Sequence, residues 1–142
     1  MCTAGVVVLC LQAAISMRTL DRGTQSNIDP ARTVVVRSAD EWSALWRAHA
    51  ADKPVAPVDF TKEMVVGVFL GSRPTAGYSV EIVGTQEQPD GLVVQYREGS
   101  PARDMMTAQV ITSPYHLVAV PKRAGEVRFE KVVREKGVGR RE

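Results

Sequence analysis

The two histidines are the first residues to weigh for chemistry, since metal sites and catalytic bases use histidine more than other side chains. His49 and His116 lie on different predicted elements, and neither has neighbours at the spacing of metal ligands. A metal site needs several histidine, cysteine or carboxylate ligands that converge on one point. The sequence therefore predicts neither a metal site nor a bound cofactor.

Covalent catalysis has equally little support in the residue pattern. Cys2 and Cys10 are the only cysteines, and the chain has no G-x-S-x-G motif to present a nucleophilic serine. A Ser/His/Asp set is combinatorially available, but no motif selects one. The paired acids Asp59 and Glu63 flank a predicted strand, where carboxylates more often face solvent than transfer protons. Glycine-rich phosphate-binding motifs are also absent, so we expect a noncatalytic protein, and an enzyme of another type stays an alternative.

The segment GSRPTAGY at residues 71–78 is the most distinctive candidate for a contact surface. Its proline fixes one backbone dihedral angle and its second glycine permits conformations closed to other residues, so we expect a stiff loop. Small side chains at its tip let a partner approach the backbone closely. The predicted contact residues are Arg73, Pro74, Thr75, Ala76, Gly77 and Tyr78. The alternative is a stiff turn between two strands, with Tyr78 in the core.

The segment TSPY at residues 112–115 is a second candidate. If this turn lies at the same end of the fold as the first loop, Pro114, Tyr115 and His116 border the contact surface. The alternative is a bulge or a strand start that Pro114 imposes on the backbone.

One helix is predicted after residue 38. The S-x-x-E pattern from Ser38 to Glu41 is typical of a capped helix start, which puts the first helical residue at Ala39. Four residues share one face at helical spacing: Trp42, Leu45, Trp46 and His49. This stripe predicts a helix packed on a sheet, with His49 half-exposed at its end, and the alternative is an aromatic platform for a ligand.

Short β-branched or alternating segments separated by turn residues fill the rest of the chain. Strands are predicted at 33–37, 64–70, 77–83, 92–97, 107–112, 116–120 and 127–133, with a loop at 21–32 and a hairpin turn at 89–91. The predicted fold class is α+β: a sandwich-like, mostly antiparallel β fold of seven or eight strands with one helix packed on it. We expect one domain, at residues 17–133, in a chain of 142 residues.

Charge excludes a dedicated nucleic-acid binder, because a net charge of +2 is too small for that class of protein. The positive excess is concentrated at the end of the chain, where residues 122–142 hold eight Lys or Arg against four Glu. We expect residues 134–142 to form a loose basic tail.

Residues 5–15, GVVVLCLQAAI, are apolar but too short to span a bilayer, which takes about twenty residues. They have the length of a signal-peptide core, and Ala14 and Ser16 form a small-x-small pair like those that precede cleavage. No Lys or Arg precedes Arg18. Residues 1–16 are therefore either the remnant of an export signal, which predicts the bacterial envelope or secreted space, or a first β-strand, which leaves a cytoplasmic location open.

Several of these segments together resemble the PrcB C-terminal domain family. They are the loop around Ser26, the E-W-x-x-L-W helix at 41–46, the strand V-D-F-T-K-E-M-V-V from Val58, the loop at 71–78, and S-P-Y-H-L-V-A-V-P-K from Ser113. The resemblance covers residues 17–132, and its most specific piece is the T-G-G-Y-type loop, in which Ala76 takes the place of the first glycine. It implies a noncatalytic protein of the bacterial envelope or secreted space. The family takes its name from a subunit associated with stabilising a bacterial surface protease complex, so we expect a protein-binding module that is associated with a protease.

A second similarity concerns the same loop. R-P-T-A-G-Y-S-V at 73–80 is similar to the N-P-T-T-G-Y-x-W loop of chagasin-type cysteine-protease inhibitors, which insert it into an active-site groove. Arg73 replaces the asparagine and Val80 the tryptophan, and the two other contact motifs of these inhibitors do not occur here. A protease inhibitor is therefore the alternative function. An assembly role through self-association stays open, as does the oligomeric state.

Overall fold

The computed structural model describes residues 17–102 and 106–132. The predicted leader at 1–16 and the predicted tail at 134–142 lie outside the described residues. The elements follow in the order β1 (Arg18–Gly23), β2 (Arg32–Val36), α1 (Ala39–Ala50), β3 (Glu63–Phe69), β4 (Ser79–Gln88), β5 (Gly91–Gly99), β6 (Tyr115–Pro121) and β7 (Glu126–Lys131). The predicted α+β fold, mostly β with one packed helix, is confirmed.

Two sheets and the helix form three layers. The central sheet has the order β1-β6-β3-β2 with antiparallel neighbours. The second sheet has the order β4-β5-β7, in which β4 and β5 are antiparallel and β5 and β7 are parallel. Helix α1 covers one face of the central sheet and the second sheet covers the other.

Alternation along β3 and β6 creates two apolar cores. Val65 and Leu117 point into the core under α1, whereas Val66 and Val118 point into the core between the sheets. Successive strand residues face opposite sides of a sheet, so a strand covered on both faces has to be apolar throughout. The run EMVVGVF of β3 meets this requirement.

Helix α1 begins as predicted. The Ser38 hydroxyl accepts a hydrogen bond from the Glu41 backbone N–H at 3.2 Å. The Glu41 carboxylate accepts from the backbone N–H of Arg37, at 2.9 Å, which is one residue before the cap. The first contact satisfies one of the amides that a helix start leaves without intrahelical partners, and the second holds the residue before the cap.

The predicted apolar face of α1 is buried in the first core, which supports the packed helix over a ligand platform. Trp42 donates its indole N–H to the Ala56 carbonyl and Trp46 donates to the Lys53 carbonyl, each at 2.9 Å. The prediction of a half-exposed His49 is wrong, since this side chain is 0% exposed. Polar partners described below make its burial possible.

One strand prediction and one loop prediction are wrong. Residues 107–112 form no regular strand; among them only Thr112 pairs, in an isolated bridge with Arg73. Conversely, the predicted loop at 21–32 begins inside β1, which continues to Gly23. Strand β1 has the polar sequence RTLDRG, and its pairing with β6, not its own propensity, makes it a strand.

His116 joins the two sheets from within the second core. Its Nδ1 accepts a hydrogen bond from the Ile82 backbone N–H at 2.9 Å, and its Nε2 lies 3.0 Å from the Thr19 hydroxyl. A ring that accepts at Nδ1 is neutral. Burial, helped by the nearby positive charge of Arg22, lowers the pKa of His116 to about 4, although the negative charge of Glu81 opposes the shift.

The helix that the described residues contain is not long and apolar enough to cross a membrane.

Replacing Trp46 tests the packed helix. We expect Trp46→Ala to lower the free energy of unfolding by about 3 to 5 kcal/mol, because the side chain is 4% exposed and leaves a cavity. Urea denaturation of both proteins measures the difference. Ser43→Ala, at an exposed position of the same helix, is the control and should change stability by less than about 0.5 kcal/mol. A melting temperature within about a degree of the wild type for Trp46→Ala would contradict the packing.

The neutral His116 predicts a pH dependence of stability. Its pKa is about 4 in the folded chain and 6.5 ordinarily, so the unfolded chain binds the proton first as pH falls. The free energy of unfolding that the neutral His116 contributes is fully present above pH 6.5. Roughly 3 kcal/mol of this free energy is lost by pH 4.

Urea denaturation between pH 7 and pH 4.5 measures this loss. The variant His116→Asn, whose amide oxygen still accepts from Ile82, should lack this part of the pH slope. Carboxylates with lowered pKa values begin to lose their contribution only near their ordinary values, 3.8 for Asp59 and 4.5 for Glu81, at the acidic end of this window and below it. Equal slopes for the two proteins would show that His116 is not held neutral.

Candidate functional site

The predicted contact loop, residues 73–78, connects two layers of the fold. It leaves β3 in the central sheet and enters β4 in the second sheet. Arg73 forms two backbone hydrogen bonds with Thr112, with N–O distances of 2.7 and 2.9 Å. Residue 112 lies just before β6, on the connection that returns from the second sheet to the central sheet. The two connections between the sheets therefore meet at this point and hold each other in place.

Further contacts fix the tip of the contact loop. The Ala76 N–H donates to the Ala108 carbonyl at 3.1 Å, and the Thr112 hydroxyl donates to the Thr75 carbonyl at 3.0 Å. The small side chains of the tip are expected to let a partner approach, but Thr75 is half-buried, because residues 108–112 lie against it. Pro74 and Gly77 are the exposed residues of the tip.

Gly77 has a backbone conformation that side chains disfavour. Its φ is +99°, and a Cβ added there would lie 2.8 Å from the Cβ of Pro101. Pro101 belongs to the same returning connection as Ala108 and Thr112. The loop is thus ordered by close packing as well as by hydrogen bonds, as its glycine and proline predict.

Arg73 and Tyr78 pair at the base of the loop. The guanidinium carbon of Arg73 lies 5.7 Å from the centroid of the Tyr78 ring, within the range of a cation–π contact. Both side chains are half-buried, so the alternative of a Tyr78 fully inside the core is not what the structure shows.

Three exposed apolar side chains lie beside the loop, and the sequence analysis missed them. Met106 is 95% exposed, Ile111 is 71% exposed, and Val110 is also open to solvent. The predicted strand at 107–112 includes Val110 and Ile111, and alternation in it would bury one of the two, whereas Met106 precedes it. The adjacent pair Val110 and Ile111 was the available signal, since neighbours in a strand cannot share one face. We call residues 73–78 and 106–112 together the loop face.

The second predicted contact group does not reach this surface. Pro114, Tyr115 and His116 are all buried. The Tyr115 ring packs between α1 and the central sheet, with its centroid 4.3 Å from that of His49, and His116 lies between the sheets. The turn does lie at the same end as the contact loop, but its side chains point inward, so these three residues are removed from the candidate surface.

A polar chain under α1 contains the buried His49. Its Nδ1 lies 2.8 Å from the Ser26 hydroxyl and its Nε2 lies 3.0 Å from the Asp21 carboxylate. The Ser26 oxygen also accepts from the Ile28 backbone N–H at 3.1 Å. These residue types match a Ser/His/Asp set. Ser26 is buried, however, and does not line the neighbouring cavity of about 540 Å³, so its hydroxyl is closed to a substrate.

Charged hydrogen bonds hold the polar chain of side chains under α1 together. Burial would raise the pKa of Asp21, but hydrogen bonds led by Lys53 and His49 lower it below its ordinary value. The hydrogen bond to Asp21, with a nitrogen–oxygen distance of 2.8 Å, raises the pKa of Lys53. Burial raises the pKa of Tyr115, whose hydroxyl lies 3.4 Å from the Lys53 nitrogen. This row of hydrogen-bonded side chains connects β1, the loop at Ser26 and α1.

No group of three or more potential metal ligands occurs within residues 17–102 and 106–132.

The strained glycine gives a direct test of loop order. We expect Gly77→Ala to destabilise the fold by about 1 to 3 kcal/mol, because alanine disfavours the positive φ and meets Pro101. Gly84→Ala is the matched control, since nothing lies within 4 Å of a Cβ added at Gly84. It should be neutral or stabilising by up to about 1 kcal/mol. If Gly77→Ala and Gly84→Ala lost the same stability in thermal denaturation, the loop conformation at Gly77 would not be required for the stability of the fold.

Comparison with known proteins gives one match. No curated protein and no solved structure matches the chain. The model of the family described as PrcB C-terminal matches residues 64–121, which run from β3 to the end of β6 and include the contact loop and the segment TSPY. The predicted match to the helix at 41–46 and to the loop around Ser26 lies outside this range. The resemblance to the PrcB C-terminal family is therefore confirmed over residues 64–121.

Proposed function

We propose that this chain is a noncatalytic protein-binding module of the bacterial envelope or secreted space, associated with a protease that it stabilises, and that the loop face is its contact surface. The match to the PrcB C-terminal family supports a protease-associated role. The apolar segment at 5–15, with the length of a signal-peptide core, supports the location.

The observation that carries the proposal is the exposure of three apolar side chains on a segment that is hydrogen-bonded to the ordered contact loop. Met106, Val110 and Ile111 account for three of the five large apolar side chains that the described residues expose. Large apolar side chains exposed along one segment are typical of interaction surfaces. Because hydrogen bonds and packing already order the contact loop, binding a partner costs little conformational entropy there.

A noncatalytic role agrees with the polar chain under α1. Ser26 is the residue that a hydrolase would use as nucleophile, since its hydroxyl lies beside His49. Its oxygen is buried and already accepts from Ile28, which leaves no path for a carbonyl carbon to reach it.

The geometry of the loop favours a stabilising subunit over an inhibitor. An inhibitor of the chagasin type inserts a protruding loop into a groove, whereas Thr75 and Ala76 are half-buried against residues 108–112. A loop that rests on its neighbours presents a broad face instead of a narrow tip. Activity of a captured protease, assayed with and without this chain, separates the two: a stabiliser prolongs activity and an inhibitor reduces it.

Ile111→Arg tests the loop face. The side chain is 71% exposed, so the variant should keep the wild-type melting temperature. A buried arginine in the interface should weaken binding of the partner by about 2 kcal/mol or more, the size of a hot-spot loss. The measurement is capture of envelope proteins by the tagged full chain expressed in its own host, with bound proteins identified by mass spectrometry.

Val55→Arg is the matched control, because Val55 is 50% exposed and lies on the connection between α1 and β3, outside the loop face. We expect a protease to be captured by the wild type and by Val55→Arg but not by Ile111→Arg. Recovery of the same proteins with all three chains, or of no protease, would refute the proposal.

A further inference from the structure

A pocket of about 420 Å³ opens beside the contact loop, where β5 and β7 end. Its lining comprises Arg73, Tyr78, Glu98, Gly99, Ser100, Lys131 and Val132. Two of these residues belong to the contact loop, and the others come from the parallel strand pair of the second sheet and the residues that follow it. The pocket therefore lies between the contact loop and the ends of β5 and β7.

Arg73 lines this pocket, and one of its donors has no acceptor. Its Nε is buried and has no hydrogen-bond partner among residues 17–102 and 106–132. Within the described part of the chain, no carboxylate lies within 4.0 Å of its guanidinium nitrogens. A buried donor on a charged group costs free energy when it stays unpaired. The cation–π contact with the Tyr78 ring does not supply an acceptor for this N–H.

The other charges of the pocket compensate each other. The Lys131 ammonium lies 3.5 Å from the Glu98 carboxylate. One positive charge, that of Arg73, is thus left over among the lining residues. A planar guanidinium with one uncompensated charge suits a planar monoanion, and carboxylates bind arginine through two parallel hydrogen bonds. The Glu98 carboxylate in the lining disfavours a dianion such as phosphate.

The geometry points to a carboxylate-binding pocket, in which Arg73 holds a carboxylate of the partner protein against the Tyr78 ring. The carboxylate is either the free C-terminus of the partner or an Asp or Glu side chain, and the chemistry at Arg73 is the same for both. This inference rests on the proposed function, since it states what the partner presents to the contact loop.

Peptide titrations of the isotopically labelled full chain, followed by amide NMR shifts, test the inference. The probes are N-acetyl-tetra-alanine with a free C-terminus, the same peptide amidated, and amidated N-acetyl-Ala-Ala-Glu-Ala. At least one carboxylate-bearing probe should give saturable shifts at Gly99, Ser100, Lys131 and Val132, and the neutral amidated probe should not. The first probe reports a terminal carboxylate and the third a side-chain carboxylate. This comparison uses only the wild-type chain and does not depend on how any variant folds.

Arg73→Gln should weaken the binding of that probe roughly tenfold or more, as expected for a charge-assisted hydrogen bond. Arg47→Gln removes the same charge from an exposed position of α1 and should leave the affinity unchanged. Equal binding of the neutral probe, saturation at other amides, or no saturable shift would overturn the inference. So would tighter binding of amidated N-acetyl-Ala-Ala-phosphoserine-Ala, which would identify a phosphate site.

Failure of this inference is distinguishable from failure of the proposed function. Capture of a protease that Ile111→Arg abolishes, together with no carboxylate-dependent shift, leaves the loop face as the contact surface and removes the pocket. Carboxylate-dependent shifts at the pocket without capture of any protease would keep the pocket as a carboxylate site and refute the proposed function.

Discussion

The strands β3 and β6 have to bury both of their faces, and the rest of the fold follows from that constraint. Neither the helix nor the second sheet is optional, because removing either one would expose a full row of apolar side chains. The residues that face α1 alternate with those that face the second sheet, so a slip of one residue in register would exchange the two cores. His116 adds a polar contact to this arrangement by accepting the Ile82 N–H of β4, which lies at an edge of the second sheet.

The candidate site arises where the chain passes between these layers. It leaves the central sheet after β3 to form the second sheet, and it returns after β5 to form β6. The bridge between Arg73 and Thr112 joins the outgoing and returning segments. Because both segments are crossings and not strands of a sheet, their side chains are not all drawn into a core, and Met106 and Ile111 remain exposed. The order of the loop and the exposed apolar surface thus have one structural origin.

Local patterns in the sequence predicted the elements whose burial is simple. The stripe on α1, the apolar run of β3 and the hairpin turn at 89–91 are confirmed, because each reflects one buried face or one turn geometry. The predictions that failed concern residues whose structure depends on pairing between distant segments. Strand β1 is polar and exists through β6, and the burial of Tyr115 and the half-burial of Thr75 follow from segments far away in the chain. The contact loop was predictable from its glycine and proline, whereas the pocket beside it needed the placement of β7.

The pairing of β1 with β6 also determines when this chain is able to fold. Gly23 faces Tyr115 across that pair, and β3 has β6 as its second neighbour, so most of the central sheet waits for the final quarter of the chain. Until then β3 has only β2 beside it and exposes a long apolar edge. Native pairing of this kind is slow, since distant segments must meet before any of it is stable. During synthesis the chain therefore stays open and prone to aggregation until about residue 121 has emerged, and the two crossings of the loop face come together only in that last step.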